Sequence, residues 1–143
     1  MDIGMIGIGG ALAFAAMGSA IGAGSAGMAA VGAWKRCFAQ NKPAPFMLVA
    51  FVGAPLTQTI YGLILMGALA TAIEGGADGG LIFGAGVFGG MAMGMSAWFQ
   101  GKAAAVASDA LAETGKGFGN YIMVLGLVET VALFVMVFLL GVV

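Results

Sequence analysis

The chain has 143 residues, of which 62% are hydrophobic and only 8% are charged, with a formal net charge of −1. Soluble domains carry about a quarter charged residues, and a single core of this size cannot hide so much apolar surface. A soluble enzyme, a disordered chain and a nucleic-acid-binding protein are therefore excluded. With one cysteine and no histidine, the chain also lacks a disulfide framework and the commonest metal ligand. An integral membrane protein remains.

Four apolar stretches are long enough to cross a bilayer, which takes about 20 helical residues. They cover residues 3–33, 45–73, 81–107 and 119–142. Strict alternation of polar and apolar residues is missing, which argues against a membrane β-barrel. The sequence therefore predicts an all-α membrane protein with four transmembrane helices.

The charged residues between these stretches are sorted by sign. Most basic residues fall in the connections after the first and third stretches: Lys35, Arg36, Lys42 and Lys116. Acidic residues occupy the N-terminus and the connection after the second stretch: Asp2, Glu74 and Asp78. Because basic loops face the cytoplasm, we expect a multi-pass cell-membrane protein with both termini on the non-cytoplasmic side. No basic segment precedes the first apolar run, so a signal peptide is not expected.

The two halves of the chain resemble each other at an offset of about 71 residues. Ser25 then aligns with Ser96, and Gln58 aligns with Glu129. This similarity indicates two tandem, duplicated helical hairpins, residues 1–73 and 81–143, the second of which carries the glutamate.

Small residues recur at four-residue spacing in the first stretch, at Gly18, Gly22 and Ala26. Such a stripe lets helix backbones approach closely in lipid. Two readings are open: ordinary packing inside a four-helix bundle, or a first helix that lines the crowded inner wall of a ring of protomers.

Glu129 is the acidic residue deep within a predicted span. A carboxyl group at that depth costs a few kcal/mol or more, so it is a candidate functional group. The second span carries Ala54, Thr57, Gln58 and Tyr61 at the i, i+3, i+4, i+7 spacing of one helix face. Counted at 1.5 Å per residue, Gln58, Gln100 and Glu129 lie about 15–20 Å from the same ends of their spans.

These side chains offer a carboxylate, two amide oxygens, a hydroxyl and a phenol. Hard oxygen ligands suit a hard cation, and a single carboxylate favours Na⁺ or H⁺ over a divalent ion. Two amides and a hydroxyl exceed what a proton needs and could replace the water shell of Na⁺. Tyr61 could donate a hydrogen bond to Glu129. The plainer reading of Thr57, Gln58 and Gln100 is hydrogen bonding between helices.

Three motifs resemble those of the rotor-ring proteolipids, the K or c subunits of V-type and A-type rotary ATPases. They are Pro-Leu-Thr-Gln at 55–58 with Tyr61, Gln-Gly-Lys at 100–102, and Leu-Val-Glu at 127–129. The resemblance covers almost the whole chain and is strongest to sodium-coupled members.

The resemblance implies a ligand set for Na⁺. Glu129 would supply the charge, and neutral oxygens would come from Thr57, Gln58 and Gln100, with Tyr61 bonded to the glutamate. In such members the backbone carbonyl before the proline is also a ligand, which corresponds to Ala54; sodium-type relatives often have leucine there.

The resemblance also implies an assembly. Identical protomers form a homo-oligomeric ring that carries Na⁺, or alternatively H⁺, coupled to ATP hydrolysis elsewhere in the complex. The chain itself would have no catalytic site and no organic cofactor. Its partners would be a membrane stator subunit with an arginine, a cytoplasmic central-stalk subunit and the lipid bilayer, without nucleic acid. One carboxylate per four helices suits an ATP-driven pump better than a synthase.

Two alternatives of another class remain at this stage. A small four-helix secondary transporter can also work with one buried glutamate, and would form a dimer. A purely structural tetraspan protein predicts that replacing Glu129 by glutamine leaves transport intact.

Overall fold

Apolar stretches punctuated by proline and glycine decide where the helices of this chain begin and end. The computed structural model describes residues 3–143, so Asp2, which contributes to the sidedness prediction, lies outside the described part. The elements are α1 (Ile3–Ala39), α2 (Leu48–Gly53), a 3₁₀ turn (Ala54–Leu56), α3 (Thr57–Glu74), α4 (Gly79–Thr114) and α5 (Phe118–Leu140).

Four segments are long and apolar enough to cross a membrane: Ile3–Ala39, Leu48–Glu74, Gly79–Thr114 and Phe118–Leu140. The second segment contains α2, the 3₁₀ turn and α3. The prediction of an all-α membrane protein with four spans is confirmed.

The helices α1 and α4 continue past the predicted ends of their spans, at residues 33 and 107. They reach Ala39 and Thr114, with lengths of 37 and 36 residues. At 1.5 Å per residue each is about 55 Å long, well beyond the roughly 30 Å of a hydrocarbon core. The prediction that Lys35 lies in a connection is therefore wrong, because it lies on α1.

Charged residues follow the apolar part of α1 and of α4, and both helices continue past them. Arg36, predicted in the first connection, lies on α1 and forms an ion pair with Asp109. Asp109 in turn lies on α4. The helix α4 stops at Gly115, whose φ of 67° is the left-handed conformation that glycine adopts most easily.

The second span is interrupted at Pro55. Proline has no N–H group for the helix ladder, and the chain tightens into the 3₁₀ turn before α3 begins. The N–H group of Thr57 donates to the carbonyl of Ala54 across this turn. The irregularity therefore lies directly beside the predicted polar residues.

Helices α1 and α4 run parallel with their backbones in contact. A Cβ atom on Gly18 would lie 2.0 Å from the carbonyl oxygen of Gly94, and one on Gly86 would lie 1.9 Å from that of Gly7. No side chain fits at these separations, so the small residues are what allow the contact. The glycine stripe of α1 is thus used for packing within the chain, which is the first of the two readings above.

The other helices pack against this central pair, and two apolar clusters form the core. One is centred on Leu65, Ile82 and Met93. The other is centred on Phe51 and Leu125, where the ring of Phe51 stacks on that of Phe118 with centroids 5.4 Å apart. The polar side chains described next lie between the two clusters along the bundle.

Candidate functional site

Three helices contribute to a polar cluster in the middle of the bundle. Its members are Thr57, Gln58 and Tyr61 from the first turns of α3, Ser96 and Gln100 from α4, and Glu129 from the middle of α5. The helix α3 begins inside the second span, after the 3₁₀ turn. Its first polar residues therefore lie beside α4 in the middle of the bundle and not at an end of the span.

Glu129 accepts hydrogen bonds on both carboxylate oxygens. The hydroxyl of Tyr61 donates to Oε1 at 2.7 Å, and Nε2 of Gln100 donates to Oε2 at 3.1 Å. The side chain of Glu129, on α5, is half-buried. Each carboxylate oxygen of Glu129 therefore has a protein hydrogen-bond partner.

Gln100 connects Glu129 to the second span. Besides the glutamate, its Nε2 donates to the backbone carbonyl of Leu125 at 2.9 Å. Its Oε1 accepts from Nε2 of Gln58 at 2.8 Å. Both glutamine side chains are 0% exposed, and their amide groups are hydrogen-bonded to protein partners.

Neutral oxygens gather around the hydroxyl of Thr57. Its Oγ1 lies 3.0 Å from the backbone oxygen of Ala54 and 3.1 Å from Oε1 of Gln58. A hydroxyl has one proton and can donate to only one of the two at a time. The group therefore keeps lone pairs that are free to accept or to ligate.

Every predicted site residue takes part in this arrangement. Ala54, Thr57, Gln58, Gln100, Tyr61 and Glu129 form one continuous set of contacts. The common level expected from helix rise is consistent with this grouping. The polar contacts converge on Glu129, since Gln58 donates to Gln100 and Gln100 donates to the carboxylate.

Two members of the network were not predicted from the sequence. Ser96 donates to the backbone carbonyl of Val128 at 2.8 Å and accepts from Nε2 of Gln58 at 3.5 Å. Its spacing of four residues from Gln100 places both on one face of α4, and this signal was present in the sequence. The carbonyl of Leu125 has no sequence signal, because any residue at that position carries one.

The described residues, 3–143, contain no group of three or more histidine, cysteine, aspartate or glutamate side chains that could hold a metal ion. The site offers one carboxylate surrounded by neutral oxygens and amide donors. Such a set can hold one monovalent cation or one proton, and it lacks the charge to compensate a divalent ion.

Comparisons with known proteins gave one match. The comparison with curated proteins gave no match. Residues 83–140 match the family model that describes the C subunit of ATP synthase. The matched region contains most of α4 and all of α5, including Gln100 and Glu129, while α1 to α3 lie outside it. This part of the chain is therefore similar to the C subunit of ATP synthase.

Proposed function

We propose that the chain is the rotor-ring subunit of a V-type or A-type ATPase and that the ion it carries is Na⁺ bound at Glu129. The observation that carries the proposal is the direct link, through Gln100, between the mid-span carboxylate and the neutral side chains of α3. The motif resemblance and the family match over residues 83–140 both support the rotor-ring assignment.

The spacing of the neutral oxygens suits a small cation. Oxygens that share a cation of this size at about 2.4 Å lie roughly 3–3.5 Å from one another. The separations of 3.0 and 3.1 Å around the hydroxyl of Thr57 fall at this distance. Oxygens from Ala54, Thr57 and Gln58 would then form one side of the site, with Gln100 and Glu129 opposite.

The number of neutral oxygens favours Na⁺ over H⁺. Nε2 of Gln100 can only donate to Glu129, so a protonated Glu129 would have to donate from Oε1 to the hydroxyl of Tyr61. A proton carrier also has no need for the hydroxyl and amide oxygens on α3. Transport of H⁺ by the same ring is the alternative, and it requires the hydroxyl of Tyr61 to turn and accept.

The ring mechanism follows from the position of Glu129. Because α5 is the most exposed of the long helices, the glutamate would face lipid on the outside of the ring. A bound Na⁺ neutralises the carboxylate, so the loaded site can rotate through hydrocarbon at little cost. At the stator, an arginine of that partner would compete for the carboxylate and release the ion. Tyr61 and Gln100 hold the glutamate in place between these events.

The proposal extends to the placement of the protomer in the membrane. The basic connections after α1 and α4 would face the cytoplasm and the central stalk, and both termini would lie on the other side. The two tandem hairpins, with Gln58 where the second has Glu129, would leave one ion site per four helices.

Carbodiimide labelling of Glu129 tests the choice of ion. A hydrophobic carbodiimide reacts with the protonated carboxyl group, and bound Na⁺ excludes the proton. Purified rings should therefore lose labelling when millimolar NaCl is added at neutral pH, and KCl at equal concentration should have a smaller effect. Lowering the pH should restore labelling by competition.

Two variants complete this test. Glu129→Gln should show no labelling, which verifies the target. Thr57→Val, which removes one neutral oxygen with little change of shape, should still be labelled but need more Na⁺ for protection. Labelling of the wild-type ring that is indifferent to Na⁺ would assign the ring to H⁺.

Copy number separates the ring from a small secondary transporter. Native mass spectrometry of the detergent-purified protein should show a closed ring of many copies. A dimer would contradict the rotor assignment and favour the transporter.

A further inference from the structure

Two of the segments that carry the polar cluster meet at one point of α1. The first segment is the 3₁₀ turn with the start of α3, which carries Ala54, Thr57 and Gln58. The second is the turn of α4 that carries Gln100. Both segments approach α1 at Gly22, which is buried. The space available at Gly22 therefore bears on the distance between the two segments.

The contact of Gly22 with α4 is a contact between backbones. A Cβ atom added at Gly22 would overlap the carbonyl oxygen of Ala97, and one added at Gly101 would overlap the backbone of Gly22. Ala97 lies three residues before Gln100, and Gly101 follows it directly. The turn of α4 that carries Gln100 is thus held directly against the backbone of α1.

The contact of Gly22 with the second span is made by Pro55. The same Cβ atom added at Gly22 would lie 2.9 Å from Cβ of Pro55. Carbon atoms that are not bonded to each other normally stay roughly 3.5–4.0 Å apart. Pro55 is fully buried, and its ring fixes the backbone of the turn that carries the carbonyl of Ala54. A side chain at Gly22 would therefore enter between this turn and α4.

Gly18 offers a comparison within the same stripe of small residues, four residues before Gly22. A Cβ atom on Gly18 would also overlap the backbone of α4, but its three nearest atoms all belong to Gly94. The second span does not contribute to this set, whereas Pro55 contributes to that of Gly22. Gly18 therefore separates the α1–α4 packing from an effect on the ion site.

We propose that Gly22 is a positioning residue that sets the width of the ion site, an inference that rests on the proposed binding of Na⁺. Without a side chain at this position, the 3₁₀ turn and α4 approach each other until Gln58 donates to Gln100 at 2.8 Å. A methyl group at Gly22 is a wedge between them. It moves the oxygens of Ala54 and Thr57 away from Gln100, so a cation of the size of Na⁺ no longer contacts both sides of the site.

The variant Gly22→Ala tests this role by carbodiimide protection of Glu129 in purified rings. The Na⁺ concentration for half-protection should rise by about 10- to 100-fold, the usual effect of changing groups that orient metal ligands. The ratio of the K⁺ to the Na⁺ concentration for half-protection should fall, because a wider site suits the larger ion. In Gly18→Ala rings both quantities should keep their wild-type values.

Two results would overturn the proposal. One is an equal Na⁺ titration for Gly22→Ala and Gly18→Ala rings, which would reduce Gly22 to a packing residue. The other is a loss of Na⁺ protection in Gly22→Ala without any change in the ratio of K⁺ to Na⁺, which would contradict a role in the width of the site.

Mixed rings cover failure of Gly22→Ala to assemble alone. The hydrogen bonds of the site all join residues of one chain, so each protomer of a mixed ring has its own site. Wild-type and Gly22→Ala chains would be expressed together, and denaturing mass spectrometry separates them because the variant is heavier by one methylene group. We expect the wild-type protomers to be protected at lower Na⁺ concentration than the Gly22→Ala protomers of the same rings. Equal protection overturns the proposal for Gly22, whereas wild-type protomers that Na⁺ does not protect contradict the proposed ion and with it a site width set for Na⁺.

Discussion

The two pairs of long helices in this protein are held together in different ways. Helices α1 and α4 meet through backbone contacts that only glycine permits, as at Gly18 and Gly94. Helices α3 and α5 meet α4 through apolar side chains and, between the two apolar clusters, through polar side chains with Gln100 in the centre. The first contact is formed by small residues with backbone against backbone, and the second contains Glu129.

The two contacts are therefore expected to have different roles: the α1–α4 contact holds the helices together, and the polar contact binds the ion. Close backbone packing offers no alternative arrangement, so α4 presents Ser96 and Gln100 at fixed positions. A network of side-chain hydrogen bonds can exchange one partner for another at modest cost, about 0.6 kcal/mol on average in membrane proteins. Binding and release of an ion need that property. We therefore expect substitutions in the first contact, except at Gly22, to affect assembly and substitutions in the second to affect ion binding.

Removing the carboxylate should have the largest effect on function. Glu129→Gln replaces the charge with a neutral amide of the same size, so ATP-driven Na⁺ uptake by reconstituted complexes should fall to background. The ring should still assemble, because the new amide oxygen can accept from Gln100 and the amide nitrogen can donate to the hydroxyl of Tyr61. Glu113→Gln, an exposed glutamate at the end of α4, is the matched control and should transport normally. Normal Na⁺ uptake by Glu129→Gln would remove the basis of the proposed function.

Adding one methyl group at the first contact should destabilise the protein. In Gly18→Ala the new Cβ would meet the backbone of Gly94, and overpacking of this kind costs about 1–3 kcal/mol. Gly24→Ala, on the same helix with no atom within 4 Å of its Cβ, should be neutral. Ring yield and thermal stability in detergent are the measurements. Equal behaviour of the two variants would show that the α1–α4 backbone contact is not required.

Hydropathy predicted some features of these helices and not others. Hydropathy located four spans, because lipid requires about 20 apolar residues whatever the packing. It did not give the ends of the helices α1 and α4, because both continue past the apolar stretches to the level at which Arg36 pairs with Asp109. The end of α4 lies at Gly115 in the left-handed conformation, a feature that hydropathy does not report.

Helix periodicity and helix rise were sufficient to group the polar residues. Gln58, Gln100 and Glu129 are uncommon residue types for mid-span positions, so each one is informative. Ser96 was missed because a serine in a small-residue stripe is ordinary in membrane helices. The direction of each hydrogen bond was also beyond sequence reasoning, since it depends on rotamers that the packing of three helices decides.

Ser96 provides a sharper test of the second contact. Ser96→Ala removes the hydrogen bond to the carbonyl of Val128 and the acceptor for Gln58, so both α5 and the amide lose a constraint. We expect the Na⁺ concentration for half-protection against carbodiimide to rise by about fivefold, which corresponds to about 1 kcal/mol. Ring stability should change little. Ser25→Ala is the matched control, because Ser25 bonds only to the carbonyl of Ile21 on its own helix.

Loss of the Tyr61 hydroxyl is expected to have the smallest effect on Na⁺ binding. Tyr61→Phe removes one donor to Glu129 but leaves the donor from Gln100 and the aromatic packing in place. A single hydrogen bond between membrane helices contributes about 0.6 kcal/mol, so Na⁺ affinity should fall about threefold. Titration of carbodiimide protection measures it, with Tyr121→Phe, near the start of α5, as the control. A loss of transport as complete as that of Glu129→Gln would contradict this assignment, because it would place the phenol among the groups that carry the ion and not among those that hold the glutamate.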